Sequence, residues 1–149
     1  KRVRMYKVDD YVKAFKENSI KITPQRLAIF KIIQGNTTHP SAEEIYKEVL
    51  KDHPTISFAT VYNTLDKLYD LKLLLRLNID KEKKHFDPNT NLHHHFLCTK
   101  CLKIIDVFDK YEIDVSDEVK KQCEIESYQI SFYGICSECN LKGEDNEKV

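Results

Sequence analysis

The sequence predicts an α+β protein built from two small domains, residues 1–86 and 87–149. Amphipathic helical segments dominate the first part of the chain, whereas strand patterns and two Cys-x-x-Cys pairs dominate the second. A length of 149 residues with 41% hydrophobic content allows two such domains. No apolar run approaches the ~20 residues that span a bilayer, and no secretory signal pattern is present, so we expect a soluble cytoplasmic protein without membrane association.

Two helices open the first domain. The first covers about Val8 to Asn18 and is basic and amphipathic. The second has Thr23 as its N-cap and Pro24 at the first helical position, and it ends at Gly35. The chain therefore begins with a pair of short helices.

Two more helices follow. The third begins with a capping box, Ser41 with Glu44, and ends before Pro54. The fourth begins at Ser57, and its apolar positions recur at helical spacing. We expect its core face to consist of Val61, Leu65, Leu68 and Tyr69.

A β-hairpin is predicted after the fourth helix. We expect residues 73–80 and residues 83–87 to form two strands that flank the turn sequence KEK. Three helices of which the last leads into a hairpin are typical of a winged helix-turn-helix. We assign this fold to residues 1–86.

The fourth helix predicts DNA binding. Its first turns carry side chains that can hydrogen-bond to base edges, where an idle surface would carry Lys and Glu; they are Thr60, Tyr62, Asn63 and Thr64. Lys21 and the lysines of the hairpin are candidates for phosphate contacts. Although the net charge is zero, residues 1–84 hold 17 Lys and Arg against 11 Asp and Glu, and the rest of the chain is correspondingly acidic.

The second domain has the order strand, strand, helix, strand. Residues 93–98 and 102–108 flank the first Cys-x-x-Cys, residues 112–123 are helical, and residues 127–136 form the last strand. We expect Cys123, at helical spacing from Val115 and Val119, to be a small buried apolar residue. A unit this small needs a metal or a second subunit for stability, which predicts a dimerisation domain.

Four cysteines predict a structural zinc site. Tetrahedral zinc is held well by two Cys-x-x-Cys pairs, and a chain without an export signal is expected to keep its thiols reduced. The zinc would join the start of the domain to its end. The ligands are Cys98, Cys101, Cys136 and Cys139.

The neighbouring histidines belong to a different site. Alternate residues of a strand share a face, so His93 and His95 lie on one face and His94 on the other with Cys98. If the two strands pair across a tight turn, His93 is opposite Asp106, and the three groups share a face away from the cysteines. We expect His94 to be a surface residue.

Further ligands are available near the domain boundary. Asp87 is the first candidate, His85 is another, and His39 is more distant in sequence. Carboxylates with imidazoles suit Fe²⁺ or Mn²⁺, although zinc also binds such a set tightly. Ligands from both domains would couple metal occupancy to DNA affinity.

The motifs together resemble those of the ferric uptake regulator (Fur) family of dimeric metal-dependent repressors. The resemblance covers residues 20–140 and rests on ITPQR, HPSAEEIY, SFATVYNTL, HFD, HHHFLCTKC, KIIDVF and YGICSEC. It implies a homodimer that binds a palindromic operator in double-stranded DNA. It also implies a regulatory metal site, with Fe²⁺ or Mn²⁺ held by His39, Asp87, His93, His95 and Asp106.

Three positions resemble the peroxide-responsive (PerR) branch of that family. Both acidic ligand positions, 87 and 106, carry Asp where iron and zinc sensors tend to carry Glu, and Asn63 stands where iron sensors tend to carry Arg. The resemblance implies that Fe²⁺ reduces hydrogen peroxide and that the radical formed oxidises His39 or His93 to 2-oxo-histidine, which releases the metal. Departures from the family pattern are Lys72 and Leu102, each at a usual glycine position.

Three alternatives remain open from the sequence. The chain could be an iron, manganese or zinc uptake regulator without peroxide sensing, or a zinc-stabilised protein-interaction module. A metal-dependent hydrolase needs an open metal position and a general base. Since no His-Glu-x-x-His motif and no general base beyond the ligands are evident, we expect a protein that is not an enzyme.

Overall fold

The computed structural model describes residues 5–144, and their contacts divide the chain into two compact units. The first unit ends at Asn91 and the second begins at Leu92. The domain boundary expected between residues 86 and 87 stays a prediction. Within the described residues, none of the helices is long and apolar enough to cross a membrane.

The first unit contains the four helices and the hairpin that the sequence predicts, which confirms the winged helix-turn-helix. The two strands pair antiparallel, with Leu75 opposite Asp87. The elements are α1 (Val8–Glu17), α2 (Pro24–Ile33), α3 (Ala42–Leu50), α4 (Phe58–Asp70), β1 (Leu75–Leu77) and β2 (His85–Asp87).

The helices begin where their caps predict. At the start of α3, the Ser41 N–H donates to Glu44 Oε2 at 2.7 Å, and the Glu44 N–H donates to Ser41 Oγ at 3.2 Å. Thr23 Oγ1 accepts from the Arg26 N–H, and Ser57 Oγ accepts from the Thr60 N–H. Each cap satisfies an N–H that has no partner within its helix.

A single apolar core joins the helices of the first unit. Phe15 of α1 packs edge-on against Phe30 of α2, with ring centroids 5.0 Å apart, and both rings are fully buried. The predicted face of α4 is buried at Val61, Leu65 and Leu68.

Tyr69 was expected on the same face of α4, and that prediction is wrong. Its ring is 43% exposed. The Arg76 guanidinium of β1 lies 4.1 Å from the ring centroid and also pairs with Asp66. The aromatic ring is therefore used on the surface as a partner for a cation.

The end of α4 is closed by a Schellman motif. The Leu73 N–H donates to Leu68 O, and the Lys72 N–H donates to Tyr69 O, both at 2.9 Å. Lys72 takes the left-handed conformation, with φ of 59°. A non-glycine residue there costs about 1 kcal/mol, and the two hydrogen bonds offset that cost.

The second unit is a three-stranded sheet with two short helices. Its elements are β3 (His94–Cys98), β4 (Ile104–Val107), α5 (Asp117–Gln122), β5 (Ser131–Gly134) and α6 (Ser137–Glu144). The sheet order is β4-β3-β5, with β3 antiparallel to β4 and parallel to β5. The predicted strands and helix are confirmed, although α5 is shorter than expected. Sequence reasoning missed α6.

The predicted register of β3 and β4 is wrong by two residues. His95, not His93, is opposite Asp106. The reason is the turn: Cys98 pairs with Lys103, so four residues rather than two form the loop, and Leu102 takes a φ of 62°. A shift of two keeps the alternation of faces, so His93, His95 and Asp106 still share one side.

Much apolar surface in the second unit is uncovered within the single chain. Phe108 is 59% exposed, and Ile125 is 49% exposed. Cys123, expected to be buried, is exposed as well; it follows α5, a helix with no buried side chain, on which Val119 is 39% exposed. This exposure agrees with the expectation that the unit relies on a metal and a second subunit.

Candidate metal centres and nucleic-acid interface

The four cysteines of the second unit form a cluster. Their Sγ atoms lie within 4.8 Å of one another. The sheet and the two turns bring them together: Cys98 ends β3, Cys101 lies in the following loop, and the second pair lies between β5 and the first turn of α6.

The cluster fits a tetrahedral zinc ion. Zn–S bonds of about 2.3 Å place neighbouring sulfurs about 3.8 Å apart in a tetrahedron. The Sγ atoms of Cys101 and Cys136 are 3.8 Å apart. This pair therefore has the spacing that four-coordinate zinc requires, and all four Sγ atoms lie within 4.8 Å of one another.

The electrostatics of the cluster also favour a cation. Backbone N–H groups of Cys101 and Cys136 donate towards the Cys98 sulfur and lower the pKa of that thiol to about 6. Hydrogen bonds with the thiols of Cys136 and Cys101 raise the pKa of Cys139 to about 12. Four thiolates this close repel one another, so a divalent cation that displaces the protons would relieve the repulsion.

The second unit also groups two imidazoles with one carboxylate. Asp106 Oδ1 lies 3.0 Å from Nε2 of His93 and 3.4 Å from Nε2 of His95. The Gln129 amide donates to Nδ1 of His95 at 3.1 Å, and the His93 ring stacks on Phe108. These outer contacts orient both Nε2 atoms towards the carboxylate, as such contacts do for metal ligands.

The first unit holds a second imidazole–carboxylate pair. His39 Nε2 lies 3.4 Å from Asp87 Oδ2, and both side chains are 1% exposed. The other oxygen of Asp87 accepts from the Asn89 N–H at 2.8 Å. His39 has a φ of 53°, which is uncommon for a residue with a β-carbon and is typical of functional sites.

His85 and His94, whose roles the sequence leaves open, have other partners. His85 in β2 places Nδ1 2.7 Å from the His39 carbonyl and Nε2 3.0 Å from Asp80 Oδ2. Its hydrogen bond lowers the pKa of Asp80. His85 thus supports the backbone that carries His39, a positioning contact that only the tertiary structure reveals.

His94 is buried, so its expected surface position is wrong. It is 2% exposed, and its ring stacks on Tyr128 with an interplanar angle of 24°. Nδ1 of His94 accepts from the Ile130 N–H at 3.2 Å. The ring therefore links β3 to the segment that enters β5.

The polar edge of α4 is present with one exception. Asn63 is exposed, and Thr60 and Tyr62 are half-buried. Thr64, also expected on this edge, is fully buried and donates its hydroxyl to the Thr60 carbonyl at 2.8 Å, so that prediction is wrong. Lys21 is exposed in the loop before α2.

Known proteins match nearly the whole chain. A family model described as the ferric uptake regulator family matches residues 17–133. The peroxide-responsive repressor PerR of Staphylococcus saprophyticus is 32% identical over 140 residues, which cover 92% of this chain and 94% of that protein.

Solved structures agree with the fold. PerR from Streptococcus pyogenes, described for peroxide sensing and gene regulation, is 29% identical with a TM-score of 0.53, covering 93% of this chain and 97% of that one. The Fur protein of Helicobacter pylori, with three functional metal-binding sites, gives a TM-score of 0.72 over 92% of this chain and 96% of that one. At 22% identity, the second match shows the fold alone.

Proposed function

Because the chain belongs to the ferric uptake regulator family, we propose that it is a repressor that binds DNA in its metallated state and releases it when peroxide oxidises a ligand histidine. The family consists of metal-dependent transcriptional regulators, not enzymes. The observation that carries the peroxide proposal is the pairing of imidazoles with aspartate in both units, at Asp87 and Asp106. The similarity to peroxide-responsive repressors supports it.

Structural zinc is assigned to Cys98, Cys101, Cys136 and Cys139. The 3.8 Å sulfur spacing and the donor set support this assignment. All four cysteines belong to the second unit, which has few buried apolar side chains of its own. The zinc contributes to the folding of that unit and is not the sensing metal.

The regulatory metal is assigned to His39, Asp87, His93, His95 and Asp106. Nitrogen and carboxylate oxygen donors suit Fe²⁺ and Mn²⁺. In each unit a carboxylate oxygen already faces imidazole Nε2 atoms, which is the arrangement that a cation would stabilise. Metal binding and DNA binding are then linked. Bound metal raises the affinity of the protein for DNA, and bound DNA raises its affinity for the metal by the same factor.

Oxidation would act on His39 or His93. Ferrous iron supplies one-electron reduction of peroxide when it is bound, whereas manganese does not reduce peroxide readily. In net terms, one peroxide molecule transfers an oxygen atom to Cε1 of the imidazole and leaves as water. His93 is 3% exposed and His39 is 1% exposed, so an oxidant formed at these side chains meets them before it meets solvent.

DNA recognition is assigned to Lys21, Thr60, Tyr62 and Asn63. The exposed amide of Asn63 and the half-buried Tyr62 lie along α4, which would enter the major groove. The protein acts as a homodimer, as the family does, and we propose a palindromic operator and a cytoplasmic location.

DNA binding before and after oxidation tests this function. Zinc-containing protein loaded anaerobically with Fe²⁺ or with Mn²⁺ is expected to retain operator DNA in a mobility-shift assay. A slight excess of peroxide should release the DNA from the iron form and leave the manganese form bound. An iron form that keeps its DNA would replace the proposal with a plain metal-responsive repressor.

A further inference from the structure

We propose that Arg26 sets the base specificity of the DNA interface by fixing the orientation of the Asn63 amide. Arg26 is a positioning residue in this role, since it acts through Asn63. The inference rests on the proposed DNA-binding function and adds a residue outside the set of DNA contacts assigned above.

The Arg26 guanidinium joins three segments of the first unit. Its Nη2 donates to Asn63 Oδ1 at 3.2 Å, and its Nη1 donates to the Lys21 carbonyl. Its Cζ lies 5.7 Å from the ring centroid of the fully buried Phe15. One side chain thus contacts the two exposed residues of the proposed DNA-binding set, Lys21 and Asn63.

The guanidinium dictates which way the Asn63 amide faces. Arginine has five N–H donors and no acceptor, so only the amide oxygen of Asn63 can face it. The Nδ2 amino group of Asn63 is then available for DNA with both of its N–H donors. The planar Arg26 guanidinium, which lies over the Phe15 ring, restricts the orientation of the Asn63 amide more than a flexible lysine would.

The orientation has a consequence for base recognition. An amide that presents N–H donors matches base atoms that accept, such as O6 and N7 of guanine or O4 of thymine. Bidentate recognition of adenine needs the amide oxygen to face the base beside the amino group, and the hydrogen bond from Arg26 holds that oxygen towards the guanidinium instead. Without Arg26 the amide could rotate by half a turn and accept from bases equally well, so discrimination at that base pair would fall.

The test selects binding sites from a pool of double-stranded DNA with a randomised segment, using Mn²⁺-loaded, zinc-containing protein. The variants are Arg26→Gln, Asn63→Ala and the double variant. Arg26→Gln is expected to reduce discrimination at one base pair of each half-site by about tenfold. In the Asn63→Ala background the same change should have no further effect on that discrimination.

Two further variants keep the test decisive. Asn63→Asp retains an acceptor for Arg26 but removes both N–H donors, so it should lose the preference for accepting bases even if Arg26→Gln folds poorly. Lys31→Gln is the matched control, because it removes one positive charge from an exposed position of the same helix, α2. It should leave base preference unchanged.

Salt dependence separates positioning from a phosphate contact. A lost phosphate contact lowers the slope of log affinity against log salt by about 1 and weakens all sequences alike. For Arg26→Gln we expect an unchanged salt slope and a relaxed base preference at one base pair.

Two results would overturn the inference while DNA binding itself stands. One is a lower salt slope of Arg26→Gln with unchanged base preference, and the other is an equal effect of Arg26→Gln on base preference with and without Asn63. A wild-type protein that selects no DNA would overturn the proposed function and this inference together.

Discussion

The two units of this protein are stabilised by different means. The first buries an apolar cluster of fifteen residues from its four helices, the segments on either side of α4 and the hairpin; they include Tyr11, Phe15, Phe30 and Phe86. In the second, the buried apolar residues of the described chain are Leu97, Cys98, Ile104 and Cys136, two of which are proposed zinc ligands. The contrast indicates that the second unit, which is smaller and has a small core, depends on a metal for its fold, whereas the larger helical unit has an apolar core of its own.

Removing the zinc is expected to have the largest effect and to act on one unit. Structural zinc contributes on the order of 10 kcal/mol to folding in small metal domains. Cys101→Ala should therefore unfold the second unit and abolish dimerisation, measured by analytical ultracentrifugation and metal content. Thermal unfolding followed by circular dichroism should still show the helical transition of the first unit.

Cys123→Ser is the matched control for the cysteine variant. Cys123 is exposed and lies outside the Sγ cluster, so its replacement should leave the zinc content and the fold of the second unit unchanged. A Cys101→Ala protein that stays dimeric and folded would break the comparison between the units.

A cavity in the helical core should have the next largest effect, on the other unit. Leu65 is fully buried in α4, and Leu65→Ala is expected to cost about 2–5 kcal/mol in the free energy of unfolding. Tyr69→Ala on the same helix should cost less than about 1 kcal/mol, since that ring is 43% exposed and contributes mainly a cation–π contact. Denaturant titration with zinc content measured in parallel checks both, and equal costs would contradict the assigned core.

Removing a regulatory ligand should affect metal affinity without unfolding either unit. His93→Ala is expected to weaken Mn²⁺ binding by at least about 100-fold. The reason is that loss of a residue that only hydrogen-bonds to a metal ligand already lowers metal affinity by about 10- to 100-fold. Gln129→Ala removes the donor to His95 Nδ1 and should weaken Mn²⁺ binding by about 10- to 100-fold. Calorimetric titration of zinc-containing protein measures both, and unchanged affinity in His93→Ala would exclude the assigned ligand set.

Helix caps should show the smallest effect and sharpen the contrast. Ser41→Ala removes a reciprocal capping box from α3 and is expected to cost about 1 kcal/mol. Ser116→Ala removes a longer, 3.4 Å bond from the exposed six-residue helix α5 and should cost a few tenths of a kcal/mol. Denaturant titration measures both: Ser41→Ala should lower the unfolding midpoint more than Ser116→Ala does. The opposite order would mean that the second unit depends on α5 for its stability.

The fold of the first unit was predictable from local signals. Thr23, Ser41 and Ser57 cap their helices where the sequence places them, because a cap needs only residues within one turn. Tyr69 and Thr64 were assigned wrongly because helical spacing alone does not fix the edge of a buried face. The environment of Tyr69 is set by its contact with Arg76, and that of Thr64 by its hydrogen bond to the Thr60 carbonyl. The spacing of apolar residues does not predict either contact.

The second unit was less predictable because its geometry depends on the cysteine loop and on packing. The loop of four residues, with Leu102 in the left-handed region, shifted the strand register by two. His94 was expected at the surface but is buried against Tyr128. Cys123 was expected to be buried but is exposed. The grouping of His93 with His95 and Asp106 could still be predicted, because it depends only on the alternation of faces.

The most direct test of peroxide sensing is peptide mapping by mass spectrometry. Zinc-containing protein loaded anaerobically with Fe²⁺ receives a slight excess of peroxide beside an Mn²⁺ control. One added oxygen is expected on the peptides that contain His39 or His93, in the iron sample only. Unmodified peptides in both samples, from protein that binds iron, would contradict peroxide sensing.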